Sequence, residues 1–538
     1  MKNLKYTSYY YYLTVNEADL FTVTLLPGDN VKVPIIIVRN PYVDEFADCS
    51  EEMCVCCYLK EYAKWLENGY AVVIQHCRGR GKSTGEFIPY INEREDGLAL
   101  LGWIRQRNFY NGEIYLMGVS YTTSVHFATA PFAEDIKGAI FGVQDSNRYN
   151  ICYRNGFLKK GLHGEWYVEM YKAKSHIKKN FTINAFNTLP LSEFSKTVFS
   201  ENAEDFDELL KHPDFSDEFW NTRYGGIETR NATDHVKFPI LFTTGFYDIY
   251  TGGIFDMWNS LNDECKRMSA MVVSPNDHGD NSNEYKFENG KMVEAFGDDY
   301  AIRWFNYIRG ADKNSPFKLG KITYYCLFEN KWEIDEGDFQ SRNQLQLILG
   351  NNTVSYVYNP YDPPEFNGGL SRAFGGGCFQ LPPNMRYDII TVYSEAFEQD
   401  VFVKGKMSAR LCVKSDCEDT CFYVRVSITK EQGDFGLRDD ITSLCYQLKE
   451  YVPGNVVTLD FSFDEHAFLI KKGEKIRIDI SSADNAHYVR HTNIKGLYSE
   501  QKTAKVAHNT IYLKESCIML PIDLRCELRR QQLAQKLA

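Results

Sequence analysis

Short apolar runs alternating with amphipathic stretches set the pattern of the first 145 residues. Pro34 to Asn40, Ala71 to His76, Ile114 to Val119 and Gly138 to Gln144 are too short for helices and rich in β-branched residues, so they read as buried strands. Residues 52–68 place Leu59, Ala63 and Leu66 on one helical face, and Gly69 ends that run. Asp96 to Arg105 reads as a second helix. Strands alternating with helices predict a mainly parallel sheet covered on both faces.

The pattern breaks after residue 145. Residues 146–235 hold few β-rich runs and several helical ones, such as Glu165 to Lys174 and Ala203 to Leu210. The α/β pattern returns in Pro239 to Asp248 and Met268 to Pro275. A helical segment interrupting a sheet domain, after the strand that ends near Ser120, reads as a cap. From about residue 321 the period changes to two. Ala409 to Lys414, Cys421 to Ile428 and Lys475 to Ser481 alternate apolar and polar side chains, the signature of half-buried antiparallel strands. Helical patterns then stay scarce until the charged tail after Leu524. The expected organisation is an α/β core in two parts, 1–145 and 236–320, a helical insert over 146–235, and a β-sandwich of jelly-roll type over 321–538.

At 538 residues the chain is too long for one ordinary core, which agrees with this division. A net charge of -12 argues against a nucleic-acid partner, because no basic stripe is present to neutralise phosphates. No apolar run is long enough to span a membrane, and Met1 to Leu13 lacks the apolar core of a secretory signal, so a cytoplasmic location is expected. The fifteen cysteines are irregularly spaced. Cys54, Cys56 and Cys57 have no matching ligand pair downstream, nor do Cys417 and Cys421, so reduced thiols are expected rather than a metal site.

The chemistry concentrates at Gly118-Val119-Ser120. An apolar strand runs into a serine with glycine two residues before it, and the small-residue segment Thr122 to Ala130 follows. A serine hydroxyl is a poor nucleophile until a tight strand–helix turn exposes it and a histidine takes its proton. The full signature has a second glycine two residues after the serine, where Thr122 stands. Downstream, Asp248 ends one strand and His278 follows another, which gives the order Ser, acid, His at three strand ends. Asp277 competes with Asp248 as the acid, but adjacent residues on an extended chain point apart. His126, His163, His487 and His491 read as surface or core histidines.

With these blocks assembled, the chain resembles the bacterial cocaine esterase group of hydrolases, related to Xaa-Pro dipeptidyl-peptidases and α-amino-acid ester hydrolases. The resemblance rests on Val38 to Tyr42, Gly69 to Gln75 with Arg78, Gly79 and Gly85 to Phe87, and Gly118 to Tyr121. It continues through Gly245 to Asp248, Pro275 with His278, Val403 to Val413, and Leu469 to Ser482. It implies an α/β-hydrolase core with a helical cap and a C-terminal jelly roll. It also implies Ser120 as nucleophile, Asp248 as orienting acid, His278 as base, and an oxyanion hole made by the Tyr42 phenol and the Tyr121 backbone N–H. The chain departs from the family pattern at Thr123, where glycine is usual, at His76, where aspartate is common, and before His278, where the usual tryptophan is missing. Tyr9 to Leu13 also replaces a short polar hairpin.

The function expected is therefore a serine hydrolase that cleaves an ester or amide of a small acyl substrate through an acyl-enzyme, with no cofactor and no metal. Its partners would be a small-molecule ester or a short peptide, with no nucleic acid and no membrane; self-association, as a homo-oligomer, is left open. A dipeptidyl-peptidase also needs a carboxylate for the substrate amine, and Glu165 and Glu169 in the insert are candidates. The alternative is an inactive homologue that binds carbohydrate or another ligand through the jelly roll.

Overall fold

The computed structural model describes residues 6–172, 183–199, 203–230, 232–278, 283–336, 339–369 and 375–523. Its centre is a ten-stranded sheet. In chain order the first strands are β1 (Thr7–Val15), β2 (Ala18–Leu26), β3 (Val33–Asn40), β4 (Ala71–His76), β5 (Tyr110–Val119) and β6 (Ile136–Gly142). After a two-stranded hairpin in the insert, β7 (Tyr153–Arg154) with β8 (Phe157–Leu158), the sheet continues with β9 (Ile240–Gly245), β10 (Ala270–Ser274), β11 (Ile322–Cys326) and β12 (Lys331–Asp335). The spatial order is β1-β2-β4-β3-β5-β6-β9-β10-β11-β12.

The strands from β4 through β3, β5, β6, β9 and β10 to β11 run parallel. Every residue of β4 and β10 is buried, as expected of strands covered on both faces. One apolar face packs on α1 (Glu51–Glu61) and α2 (Ala63–Glu67) through Tyr58, Trp65 and Leu66. The other packs on α3 (Glu93–Arg105) and α4 (Tyr121–Phe127) through Leu100, Ile104 and Phe127. The Ser50 hydroxyl caps α1 by accepting from the Met53 N–H. Tyr62 interrupts the expected helix over 52–68, and Gly69 follows at φ 79°.

Antiparallel strands finish the sheet at both ends, which the sequence pattern did not reveal. Tyr9 to Leu13 lies in β1, an edge strand paired with β2 from Thr7↔Leu26 to Val15↔Ala18. Its four consecutive tyrosines mask the period of two, because tyrosine suits either face of an edge strand. Tyr10 and Tyr11 are 40% and 48% exposed, yet both rings pack inward onto aromatics, Tyr10 on Phe21 and Tyr11 on Trp103.

Between β6 and β9 come α5 (Arg148–Cys152), the β7–β8 hairpin, a single π-helical turn (Lys160–Gly164), α6 (Glu165–Lys172), α7 (Phe194–Val198) and α8 (Glu204–Leu209). Their apolar side chains, among them Trp166, Phe186, Phe194, Phe206 and Trp220, pack in one cluster that also takes in Tyr90, Tyr121 and Tyr250 of the sheet domain. Beyond β12 the chain is almost entirely antiparallel, in a seven-stranded and a four-stranded sheet. The strands expected near 409, 421 and 475 are Ser408–Ser415, Cys421–Lys430 and Ile476–Ser481. This region joins the parallel sheet through buried aromatics, with the Tyr247 ring 5.9 Å from Phe435 and Phe246 5.2 Å from His466. The tail expected to be helical after Leu524 lies outside the described residues. Among the described residues no helix is long and apolar enough to cross a membrane.

Candidate active site

The parallel register sets the carboxyl ends of β5, β6, β9 and β10 side by side. Val119 pairs with Gly142, Gly142 with Thr243, and Gly245 with Ser274. Ser120 therefore leaves the sheet beside the loops that carry Asp248 and His278. Its backbone is at φ 57°, ψ -136°, outside the regions that side-chain-bearing residues favour. Strain of this kind is typical of a nucleophile held at the top of a strand–helix turn.

The turn is tight because backbone meets backbone. A Cβ on Gly118 would stand 2.2 Å from the Thr122 carbonyl oxygen, so only glycine fits there. Thr122 replaces the second glycine of the signature without opening the turn. Its hydroxyl accepts from the Val119 N–H at 2.7 Å and donates to the Val119 carbonyl at 2.6 Å, so it brackets the residue before Ser120. Thr123, fully buried, donates to the Gly142 carbonyl at 3.0 Å, and that same oxygen accepts from the Ser120 N–H at 3.0 Å. Both departures in the elbow thus become ties to the strands.

Asp248 and His278 come together through a second close backbone approach. A Cβ on Gly245 would lie 2.0 Å from the Asn276 carbonyl oxygen. With glycine there, the Tyr247 N–H donates to that oxygen at 3.0 Å and the Phe246 N–H donates to Ser274 at 2.8 Å. The Asp248 carboxylate is fully buried; one oxygen accepts from the Tyr250 N–H at 2.7 Å, and the other lies 2.7 Å from His278 Nδ1. A carboxylate can only accept, so Nδ1 carries a proton, and in a neutral imidazole Nε2 is then the acceptor. Nε2 lies 2.9 Å from Ser120 Oγ. Asp277, adjacent in sequence, is not the carboxylate in this chain of hydrogen bonds.

Tyr42 follows β3, where its N–H donates to the Asn40 side chain at 2.9 Å. Its phenol oxygen is 3.4 Å from Ser120 Oγ, and the residue is 37% exposed. The Tyr121 N–H is the first of α4, and helix geometry leaves it without an intrahelical acceptor. The Tyr121 side chain is locked from behind: its phenol donates to Glu93 at 2.9 Å and accepts from the Tyr90 N–H at 2.7 Å, and Glu93 is paired with buried Arg39 at 3.1 Å. Burial pushes the Glu93 carboxyl up, against the pull of the Arg39 guanidinium.

The remaining histidines are placed elsewhere. His76 is fully buried between Tyr58 and the Lys82 N–H, and burial depresses it to about 3. His126 sits on the sheet side of α4 with its Nε2 3.3 Å from the Met117 carbonyl. His163 is buried in the insert, where neither ring nitrogen has a hydrogen-bond partner among the described residues, and stacks on Trp166 at 5.8 Å. Glu165 is half-buried and Glu169 exposed. A residue the sequence reading passed over does reach the site: Trp166, whose Nε1–H donates to the Tyr42 phenol at 3.2 Å. Nothing local marks it, since an aromatic on an insert helix reads simply as core.

Cys54, Cys56 and Cys57 lie on α1 as free thiols, and Cys417 and Cys421 are free as well. Cys326, Glu329 and Glu333 approach within 4.8 Å of one another, but the Lys331 ammonium already joins both carboxylates, at 2.5 and 2.9 Å.

Residues 18–280 match the model of the X-Pro dipeptidyl-peptidase (S15 family), and residues 354–517 match the X-Pro dipeptidyl-peptidase C-terminal non-catalytic domain. The cocaine esterase of Rhodococcus sp. (strain MB1 Bresler) is 25% identical over 93% of this chain and 95% of its own length. Among solved structures, an aminopeptidase from a marine sediment Thaumarchaeota archaeon superposes with a TM-score of 0.80 at 16% identity, covering 97% of each chain. An α-amino acid ester hydrolase gives a TM-score of 0.78 at 16% identity, over 96% of this chain and 97% of its own. These two likenesses establish the fold, an α/β-hydrolase core followed by an all-β domain. With both parts of the chain matched in order, it belongs to the serine hydrolases of the X-Pro dipeptidyl-peptidase (S15) and cocaine esterase type.

Proposed function

We propose that Ser120, His278 and Asp248 form the catalytic triad, with the Tyr42 phenol and the Tyr121 N–H as the oxyanion hole. The observation that carries this reading is the continuous hydrogen-bond chain from buried Asp248 through His278 to Ser120 at a strained strand–helix turn. Ser120 Oγ attacks the substrate carbonyl while His278 Nε2 takes its proton. Asp248 holds the imidazole tautomer and stabilises the cation that forms. The carbonyl oxygen gains charge as the tetrahedral intermediate forms, and donors fixed in advance stabilise it more than the ground state. His278 then gives its proton to the leaving group, and water, activated by the same imidazole, releases the acid.

The substrate we assign is a small acyl ester or a short peptide. Esters make the lesser demand, because an alcohol leaves more readily than an amine and needs no carboxylate to hold a substrate ammonium. The inactive-scaffold alternative loses its main support, since Thr122 and Thr123 close the elbow. The free thiols fit a reducing compartment, the cytoplasm. The test is a fluorophosphonate probe followed by peptide mass mapping, with p-nitrophenyl acyl esters assayed beside Gly-Pro and Ala-Pro anilides. Label on Ser120 with ester turnover is expected; labelling at another serine, or none, overturns the assignment.

A further inference from the structure

The Tyr42 phenol is the weakest-defined part of the oxyanion hole, because a hydroxyl hydrogen rotates to suit its neighbours. Among the described residues, two groups lie within hydrogen-bond distance of its oxygen: Ser120 Oγ at 3.4 Å and Trp166 Nε1 at 3.2 Å. The two differ in kind. An indole nitrogen can only donate, whereas a phenol oxygen has one hydrogen to give and lone pairs to receive. The Trp166 N–H therefore takes a lone pair of Tyr42, and the phenol hydrogen has to point away from the indole.

The indole is itself held in place. Trp166 is 7% exposed, and its ring stacks on Tyr121 at 5.4 Å with an interplanar angle of 20° and on His163 at 5.8 Å and 26°. One side chain of α6 thus touches both donor-bearing residues, Tyr42 through its N–H and Tyr121 through its face. Residues 124 apart in sequence meet here, and the insert is tied to the strand ends at the point where substrate charge would develop.

We propose that Trp166 is a positioning residue of the oxyanion hole: its indole N–H, donated to the Tyr42 phenol oxygen, turns the Tyr42 O–H toward the substrate oxyanion and polarises it as a donor. This rests on the triad and oxyanion reading above. Hydrogen bonds in series strengthen one another, so the effect grows as the oxyanion forms and falls on kcat rather than on KM.

The test is a double-mutant cycle between Trp166→Phe and Tyr42→Phe, read as kcat and KM for a p-nitrophenyl ester. Phenylalanine keeps an aromatic ring on Tyr121 and removes the N–H. In the wild-type background Trp166→Phe should lower kcat about tenfold, the scale of one net hydrogen bond, with KM changed less than about twofold. In the Tyr42→Phe background the same change should alter kcat less than about twofold, because the phenol through which Trp166 acts is gone. Equal losses in both backgrounds, or a defect confined to KM, would overturn the proposal and leave Trp166 a packing or substrate-binding residue. Should Trp166→Phe fail to fold, benzothienylalanine at position 166, isosteric with tryptophan but with sulfur in place of N–H, is carried through the same cycle with the same criteria. Fluorophosphonate labelling of the wild type separates the two levels. No label on Ser120 refutes the triad itself, whereas label on Ser120 with additive losses refutes only the role of Trp166.

Discussion

Two histidine–aspartate pairs in this molecule look alike and sit in opposite surroundings. At the end of the parallel sheet, His278 Nδ1 meets fully buried Asp248, and the imidazole, 20% exposed, extends Nε2 to Ser120. In the all-β region, His487 Nδ1 meets Asp484, which is also fully buried, but His487 is 1% exposed and its Nε2 has no hydrogen-bond partner among the described residues. Asp484 is part of a sealed network, accepting from the Tyr423 hydroxyl at 3.1 Å and from the Phe366 and Ala486 N–H groups. Burial works to raise the Asp484 carboxyl, but the His487 imidazole and the Arg425 guanidinium outweigh it and hold it below the usual range. The pairing itself is thus only a way to orient an imidazole. On the function proposed above, it becomes chemistry only where the far nitrogen faces a serine hydroxyl, as His278 faces Ser120.

The sharpest break in that comparison is the nucleophile. Ser120→Ala should cut p-nitrophenyl ester turnover by roughly 10⁴-fold or more with the melting temperature little changed; retained turnover would make the first pair as idle as the second. Next come the acids. Asp248→Asn should lower kcat by about 10⁴ by favouring the wrong tautomer, while Asp277→Asn stays within a few-fold. Asp484→Asn should leave kcat within a few-fold but destabilise the fold by about 3 kcal/mol or more, since it uncouples a buried charged network. A catalytic collapse in Asp484→Asn with an unchanged melt would erase the distinction drawn above.

Tyr42→Phe is expected to reduce kcat by about 10²–10³ with little change in KM, the cost of one preorganised donor. Unaltered kcat would mean that other groups build the oxyanion hole.

A last effect concerns acid. Activity should fall as pH drops, because a protonated imidazole cannot take the serine proton. Stability should fall as well, for a separate reason. His76, His126 and His163 are buried and depressed to about 3. Between about pH 6.5 and 3 the unfolded chain binds protons that the folded one refuses, so stability is complete above that window and declines within it, by about 1.4 kcal/mol per pH unit for each such histidine. Thermal melts from pH 8 to 4 check this; a melting temperature that stays level to pH 4 would mean that these rings are solvated. A kcat/KM profile flat from about pH 5 to 9 would remove His278 as the base.

The chain itself determined the parallel core and the order of its chemistry. Strands β3 to β6, β9 and β10 are short apolar runs whose neighbours in sequence are their covering helices, and Ser120, Asp248 and His278 each lie within a few residues of the end of one of them. Such features are local, and the rule that strand ends gather on one edge of a parallel sheet does the rest. Tertiary structure alone decided the remainder. The antiparallel edge formed by β1 is set by pairing with β2, since its tyrosine run carries no alternation. Whether Thr122 and Thr123 would open the elbow depended on where their hydroxyls pointed, toward Val119 and toward Gly142. The sealing of His487 and the reach of Trp166 to Tyr42 both turn on distances of a few ångströms between residues far apart in sequence. Hydrophobic periodicity reports which face of an element is buried, but not which partner waits there, and partner and geometry separate a catalytic hydrogen bond from a structural one.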